Sequence, residues 1–183
     1  MADGEKKASR EGRIIVCIDE AGFYLLPGRV RSYAPQGHTP ILKPLVTYDH
    51  WSVMSGITPA GQLYTLVREE ALDSFDSVSF LMHLLAVLKK KLLVIWDGSR
   101  IHRKEVPRFL EQEGKRYIHL ECFPPYAPEL NPDEGVWQHL KHVELRNVAC
   151  QNLPQLRTEL DRAIVRLRSK PHVVRSLFAG AKL

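Results

Sequence analysis

Two short apolar runs, each leading into an acid, set the limits on what this chain can fold into. RIIVCIDE (Arg13–Glu20) carries three isoleucines and a valine in eight residues, and LLVIW (Leu92–Trp96) runs directly into Asp97. Runs this short and this rich in β-branched residues read as strands covered on both faces. Asp19 shares strand parity with Cys17 and Ile15. A carboxylate at the end of such a strand costs several kcal/mol to desolvate unless it is paired or binds a cation. A solvated strand end is the plainer reading of either acid alone.

The intervening sequence alternates in kind. Leu45–Ile57 and Gln62–Val67 read as strands joined by a TPAG turn. Asp73 opens a helix in which Val78, Leu81, Met82, Leu85 and Leu88 form an apolar stripe, so Met82 is expected in the core. Lys89, Lys90 and Lys91 suit the negative end of that helix dipole. A helix over about Lys104–Glu113, a stop at Gly114 and a strand over Tyr117–Leu120 then complete a strand–helix–strand unit, which implies a right-handed parallel crossover. Asn152 and Gln155 cap a last helix with Leu153, Leu156, Leu160, Ile164 and Leu167 on its buried face. The pattern predicts an α/β domain with a mixed central sheet flanked by helices. At 183 residues and 44% apolar content, one core is expected over 13–183, with residues 1–12 a disordered polar tail.

The densest stretch is ECFPPYAPELNPDEGVWQHLK (Glu121–Lys141), with four of the twelve prolines. Asn131 reads as a helix N-cap, Pro132 as the first helical residue, and Glu134 stands where its carboxylate would reach back to the cap amide. The following helix carries Val136, Leu140 and Val143. The alternative is that the stiff prolyl segment delivers Glu134 to a fixed point beside Asp19 and Asp97. Three converging carboxylates repel unless cations lie between them, and hard oxygen donors suit Mg²⁺ or Mn²⁺. Two such ions roughly 3.5–4 Å apart serve phosphoryl transfer.

A net charge of +5 and a pI near 9.2 are compatible with a polyanionic partner. Arg29 and Arg31, and a basic row of Arg157, Arg162, Arg166 and Arg168 on the last helix, are candidate phosphate contacts, or equally solvated faces. Cys17, Cys122 and Cys150 are too few and too scattered for a disulfide scaffold and fit a reducing compartment. No apolar run approaches the ~20 residues of a membrane span. His139 with His142, and His119 with Cys122, match no standard zinc spacing. Trp51, Trp96 and Trp137 read mostly as core.

Four motifs in order carry a resemblance: IDE (Ile18–Glu20), RSYAPQGHTP (Arg31–Pro40), WDGSRIH (Trp96–His102) and PPYAPELNPDEGVW (Pro124–Trp137). Over about residues 13–170 the chain resembles the catalytic domain of mariner-superfamily DDE transposases, in particular their bacterial insertion-sequence branch. The last motif is the most specific, resembling the family's proline-rich signature ending in Asn-Pro-x-Glu. Asp97 and Glu134 have 36 residues between them, as in that branch. The resemblance implies an RNase H-like fold, as in retroviral integrases. It places Asp19, Asp97 and Glu134 on the catalytic, metal-holding triad, with His102 and Asn131 in support. It further implies Mg²⁺ or Mn²⁺, DNA cleavage at transposon ends, attack of the freed 3′-hydroxyl on target DNA at a TA dinucleotide, a homodimer and a bacterial, nucleoid-associated cytoplasmic setting.

Three departures stand out. Gly98-Ser99 follows Asp97 where the family often has Asn. Asp133 occupies a position usually apolar, which leaves Asp133 as an alternative third acid. The family's helix-turn-helix modules have no counterpart in this chain, so a separate DNA-binding subunit, a truncation or a fragment is expected. Two other functions stay open: a related nuclease for RNA–DNA hybrids or branched DNA, and an inactive, domesticated DNA-binding domain.

Overall fold

Side chains alternate across a strand, and that alternation sorts this molecule into two layers of helix about one sheet. The structure is a computed structural model that describes residues 10–25, 35–38, 47–99, 104–112 and 114–181. Five strands, β1 (Ile14–Tyr24), β2 (His50–Ile57), β3 (Leu63–Arg68), β4 (Leu92–Trp96) and β5 (Ile118–Cys122), form one sheet in the order β3-β2-β1-β4-β5. β1–β2 and β2–β3 are antiparallel, whereas β1–β4 and β4–β5 are parallel. The helices are α1 (Ser74–Leu88), α2 (Glu105–Gln112), α3 (Pro132–His139), α4 (Leu153–Arg168) and α5 (Pro171–Gly180).

Even-numbered residues of β1 and β4 (Val16, Ile18, Leu92, Val94, Trp96) pack with Met54 against Phe80, Leu81 and Leu84 of α1 and Val106 of α2. Odd-numbered residues (Cys17, Phe23, Val53, Ile57, Leu93, Ile95) meet Val136 and Trp137 of α3, Leu160 and Ile164 of α4 and Phe178 of α5. Each fully buried Leu, Ile or Phe contributes about 1.5–3 kcal/mol, so both layers are needed to hold the sheet.

Helix α1 starts where the sequence indicates. The Asp73 carboxylate accepts from the Phe75 and Asp76 amides, and Asp76 returns a bond to the Asp73 amide. It ends at Lys89, whose left-handed backbone (φ 50°) lets its amide reach the Leu85 carbonyl. The expected stripe is corrected at one position. Met82 is 55% exposed, and Phe80 and Leu84 are buried instead, so the inward face is turned from the one the i, i+3, i+4 count picks out.

Other boundaries shift for local reasons. β2 begins at His50, just after Thr47 Oγ1 takes the Asp49 amide and turns the chain; residues 45–46 of the expected strand lie outside the described residues. β1 runs on past Glu20 to Tyr24, since β2 pairs with it as far as Tyr24↔His50. Gly114 opens a 3₁₀ turn (Gly114–Arg116) before β5. α4 is not the last helix: Pro171, preset for a first helical turn, starts α5. After α3 the chain widens into a π-helical turn, Leu140–Glu144, in which Leu140 is buried and Val143 is 55% exposed.

Candidate metal centre

Parallel pairing of β1 with β4 brings the first two acids together. The last parallel rung is Ile18↔Trp96, so Asp97, just past the end of β4, follows it beside Asp19, where β1 runs on paired with β2 alone. Strands in a sheet lie about 4.8 Å apart, which places successive rungs within side-chain reach. Carboxylate oxygens of Asp19, Glu20 and Asp97 all lie within 4.8 Å of one another. Glu20 is a member the sequence reading passed over. Its signal was there, in the second acid of Ile18–Glu20, but strand parity assigns Glu20 to the opposite face from Asp19. The Ser99 amide donates to Asp97 Oδ1 (3.0 Å), so Gly98-Ser99 form a tight turn that holds the second acid.

Asp19 is not a solvated strand end, because it continues the antiparallel ladder opposite Ser55. Two donors from the α3 region converge on its Oδ2: Asn131 Nδ2 at 2.8 Å and Trp137 Nε1 at 2.9 Å. Asn131 is also the N-cap of α3, its Oδ1 accepting the Asp133 amide at 3.1 Å. Both ends of one amide are thus used, one to start the helix and one to tie that start to β1. The Asn131 amide bonds the Pro128 carbonyl at 3.0 Å, so the expected reach-back of Glu134 to the cap gives way to a backbone bond.

Glu134 stands exposed in the first turn of α3, outside the close group of three. Its charge still reaches Asp19. Burial pushes the Asp19 carboxyl up to about 6, the bonds from the Trp137 indole and the Glu20 backbone amide work against this, and the charges of Glu20 and Glu134 add to it. Asp133, the alternative third acid, is fully buried and accepts a hydrogen bond from the Ser55 hydroxyl. Burial raises its pKa well above the ordinary carboxylate value, the Ser55 bond opposes this, and Asp19, Glu20 and Glu134 reinforce it.

Lys141, also passed over, lies on the π-helical turn with its Nζ 5.2 Å from the centre of the Phe23 ring. Burial lowers its pKa, while Glu134 and Asp19 act to hold its charge. A groove of about 480 Å³ runs beside Glu134, bounded by Pro128, Asn131 and Gly135 on one side and Ser176 and Leu177 on the other.

Several sequence-selected residues fall elsewhere. Arg29, Arg31 and His102 lie outside the described residues. Arg162 pairs with Glu159 (2.7 Å) and Arg166 with Glu144 (2.6 Å), while Arg157 holds Asp161 and Arg168 the Leu63 carbonyl. The basic row is therefore engaged within the fold. Trp96 and Trp137 are core residues, and Trp51 donates to the Leu153 carbonyl under the Arg157 guanidinium. His139 neighbours Glu144 and His119 neighbours Glu121. Among the described residues, the group that gathers metal-type donors is the acidic one.

Its chemistry fits a hard divalent cation. Three carboxylates share a small volume, one of them with its pKa raised partly by its neighbours, and a cation relieves that repulsion.

Comparison with solved structures shows the same fold. The Mos1 strand transfer complex superposes with a TM-score of 0.62 at 18% identity, covering 100% of this chain and 60% of that one. The catalytic domain of Mos1 mariner transposase gives 0.57 at 15% identity, covering 100% and 92%. The simian T-cell lymphotropic virus intasome, in complex with a PP2A regulatory subunit, gives 0.56 at 15% identity, covering 82% and 46%. The chain thus spans about 60% of the length of the Mos1 chain in the strand transfer complex. No curated protein matches the sequence. The mixed sheet with flanking helices is the RNase H-like fold of transposase and integrase catalytic domains. The sequence matches the family described as DDE superfamily endonuclease over residues 14–157, most of its length, and the chain belongs to that family.

Proposed function

We propose that this chain is the catalytic domain of a transposase that cuts DNA at transposon ends and joins the freed 3′-hydroxyl to target DNA. The observation that carries the reading is the convergence of Asp19, Glu20 and Asp97 where the parallel pairing of β1 with β4 ends, in a member of the DDE endonuclease family. Mos1 neighbours were solved as paired-end complexes with Mn and with Mg, which supports the same choice of ions here.

In this reading Asp19, Asp97 and Glu134 hold Mg²⁺ or Mn²⁺, with Glu20 beside them. The ions supply charge stabilisation at the attacking and leaving oxygens of phosphoryl transfer. The protein's own part is placement. Asn131 and Trp137 fix the orientation of the Asp19 carboxylate, and Ser99 fixes that of Asp97. Glu134 enters from a helix start that Pro132 and the Asn131 cap hold in place. Lys141 offers a cation to a phosphate beside the acids. His102 supports the centre, and Arg29, Arg31, Arg162 and Arg166 take up DNA phosphates, the last two by exchanging their present carboxylate partners. A homodimer is the working unit and a TA dinucleotide the target, with end recognition supplied by a helix-turn-helix element outside these residues.

The test is nicking of supercoiled plasmid in Mn²⁺, Mg²⁺ or EDTA, wild type against Asp97→Asn. Nicking that needs metal and disappears in the variant is expected, followed by joining of a pre-cut end. Nicking that survives in Asp97→Asn overturns the assignment. Cutting of RNA–DNA hybrids without any joining would replace the transposase by a related nuclease.

A further inference from the structure

We infer that Asp133 is a positioning residue for the acid centre, acting through Ser55 to hold the first turn of α3 against β1 and β2. The inference rests on the metal-dependent reading above and adds to it a residue that holds no ion. Its basis is a closed ring of contacts. Asp19 of β1 is the ladder partner of Ser55 of β2. The Ser55 hydroxyl donates to Asp133 Oδ1. The Asp133 amide donates to Asn131 Oδ1, and Asn131 Nδ2 returns to Asp19 Oδ2. Two strands and one helix start are thereby locked at a single level of the sheet.

What this ring determines is the place of two acids at once. Asp19 is a corner of it, and Glu134 is the next residue after Asp133, pointing outward while Asp133 points in. A side chain that is 0% exposed cannot reach solvent or a DNA strand, so direct contact with substrate is closed to Asp133. Ser55 is also 0% exposed. The Ser55 hydroxyl is the side-chain partner of Asp133 Oδ1, while Asp133 Oδ2 is buried without one, so removing Ser55 strips the carboxyl further and removing Asp133 takes the partner from the Ser55 hydroxyl. An apolar side chain in place of Asp133 breaks one side of the ring while preserving the helix.

The experiment is Mn²⁺ binding by calorimetry on the whole chain without DNA, read beside thermal unfolding and plasmid nicking. The series is wild type, Ser55→Ala, Asp133→Leu, Ser55→Ala with Asp133→Leu, and Asp133→Asn. Loss of a group that orients a metal ligand typically weakens binding ~10–100-fold. Ser55→Ala and Asp133→Leu are each expected to weaken Mn²⁺ about tenfold, with the double variant no weaker than the worse single one. Asp133→Asn, which keeps an oxygen for the Ser55 hydroxyl, is expected to restore binding to within about twofold, a rescue read on the same scale. Wild-type Mn²⁺ affinity in both Ser55→Ala and Asp133→Leu, with only the unfolding temperature lowered, would reduce Asp133 to a buried strut and overturn the inference. Asp133→Asn as weak as Asp133→Leu would also overturn it, because the role would then lie in the ionised group. If Asp133→Leu does not fold, Ser55→Ala, which removes one oxygen, decides. Metal binding that is lost in Asp97→Asn but flat across the Asp133 series sinks the positioning role alone. No Mn²⁺ binding by the wild type sinks the metal reading beneath it.

Discussion

The two faces of the sheet are built from alternate residues of the same strands, yet they are used differently. The face under α1 and α2 is filled by Val16, Ile18, Met54, Phe80, Leu81, Leu84, Val94 and Trp96. The face under α3 buries polar groups within its core: Asp19 at its edge, Ser55, Asp133 and the indole N–H of Trp137. Apolar burial stabilises without asking for direction, whereas each buried polar group needs a placed partner and costs free energy when it lacks one. One face therefore supplies cohesion, and the other gives up some of it to hold carboxylates where they repel.

The sharpest way to break this comparison is to damage each face once. Asp97→Asn is expected to reduce metal-dependent nicking by more than ~100-fold, beyond the 10–100-fold typical of losing an outer partner, with thermal stability kept or raised. Leu84→Ala, at a position 0% exposed, should cost about 3 kcal/mol of stability, measured by urea unfolding, while nicking per folded molecule persists. A Leu84→Ala protein that is fully stable, or an Asp97→Asn protein that unfolds, would erase the division between the faces.

Trp137→Phe tests the polar face more gently. The ring would still pack against Phe23, whose centroid lies 6.0 Å away, but the donor to Asp19 Oδ2 is gone. Mn²⁺ affinity is expected to fall about tenfold and stability by about 1 kcal/mol. Unchanged affinity would show that Asn131 alone orients Asp19.

The raised pKa of Asp19 gives a pH test with a definite sign. Its carboxyl titrates near 6 in the folded protein against 3.8 for the free group, so the folded state binds the proton more tightly. Its contribution favours folding below pH 3.8 and is lost as pH rises through about 6. Metal-free Asp19→Asn is therefore expected to be more stable than wild type at pH 7.5, by roughly 2–3 kcal/mol, and the gap should narrow toward pH 4. Because metal competes with that proton, stabilisation by Mn²⁺ should shrink as pH falls below 6. A gap that does not change with pH would remove the buried charge from the account.

How much of this was legible in the sequence follows from which interactions are local. The juxtaposition of Asp19 and Asp97 could be read because both end apolar runs that parallel pairing must align. The Asn131 cap was visible because capping depends on residues a few positions apart. The Asn131–Asp19 bond was not, since its partners are 112 residues apart and only the packing of α3 on β1 brings them together. Ser55–Asp133 escaped notice for the same reason, with a separation of 78 residues. Glu20 was missed because period-two alternation, a good guide to the buried part of β1, says little about how a long carboxylate bends around a strand edge.

Met82 is the smallest test of the comparison, and it probes the apolar face from outside. Helical spacing counts it with Val78, Leu81 and Leu85, but its side chain is 55% exposed while Leu81 beside it is fully buried. A stripe drawn every third and fourth residue fixes the helix more firmly than it fixes which flank turns inward. If α1 lies as described, Met82→Glu removes little apolar contact and adds a charge to a solvated surface. Its urea midpoint is then expected to stay within about 0.5 kcal/mol of wild type, as for substitutions away from buried features. Leu81→Glu, one position away, places a charge in the dry layer and should unfold the domain. A loss of several kcal/mol from Met82→Glu would instead mean that α1 is rotated, and that the cohesive face is larger than the one drawn here.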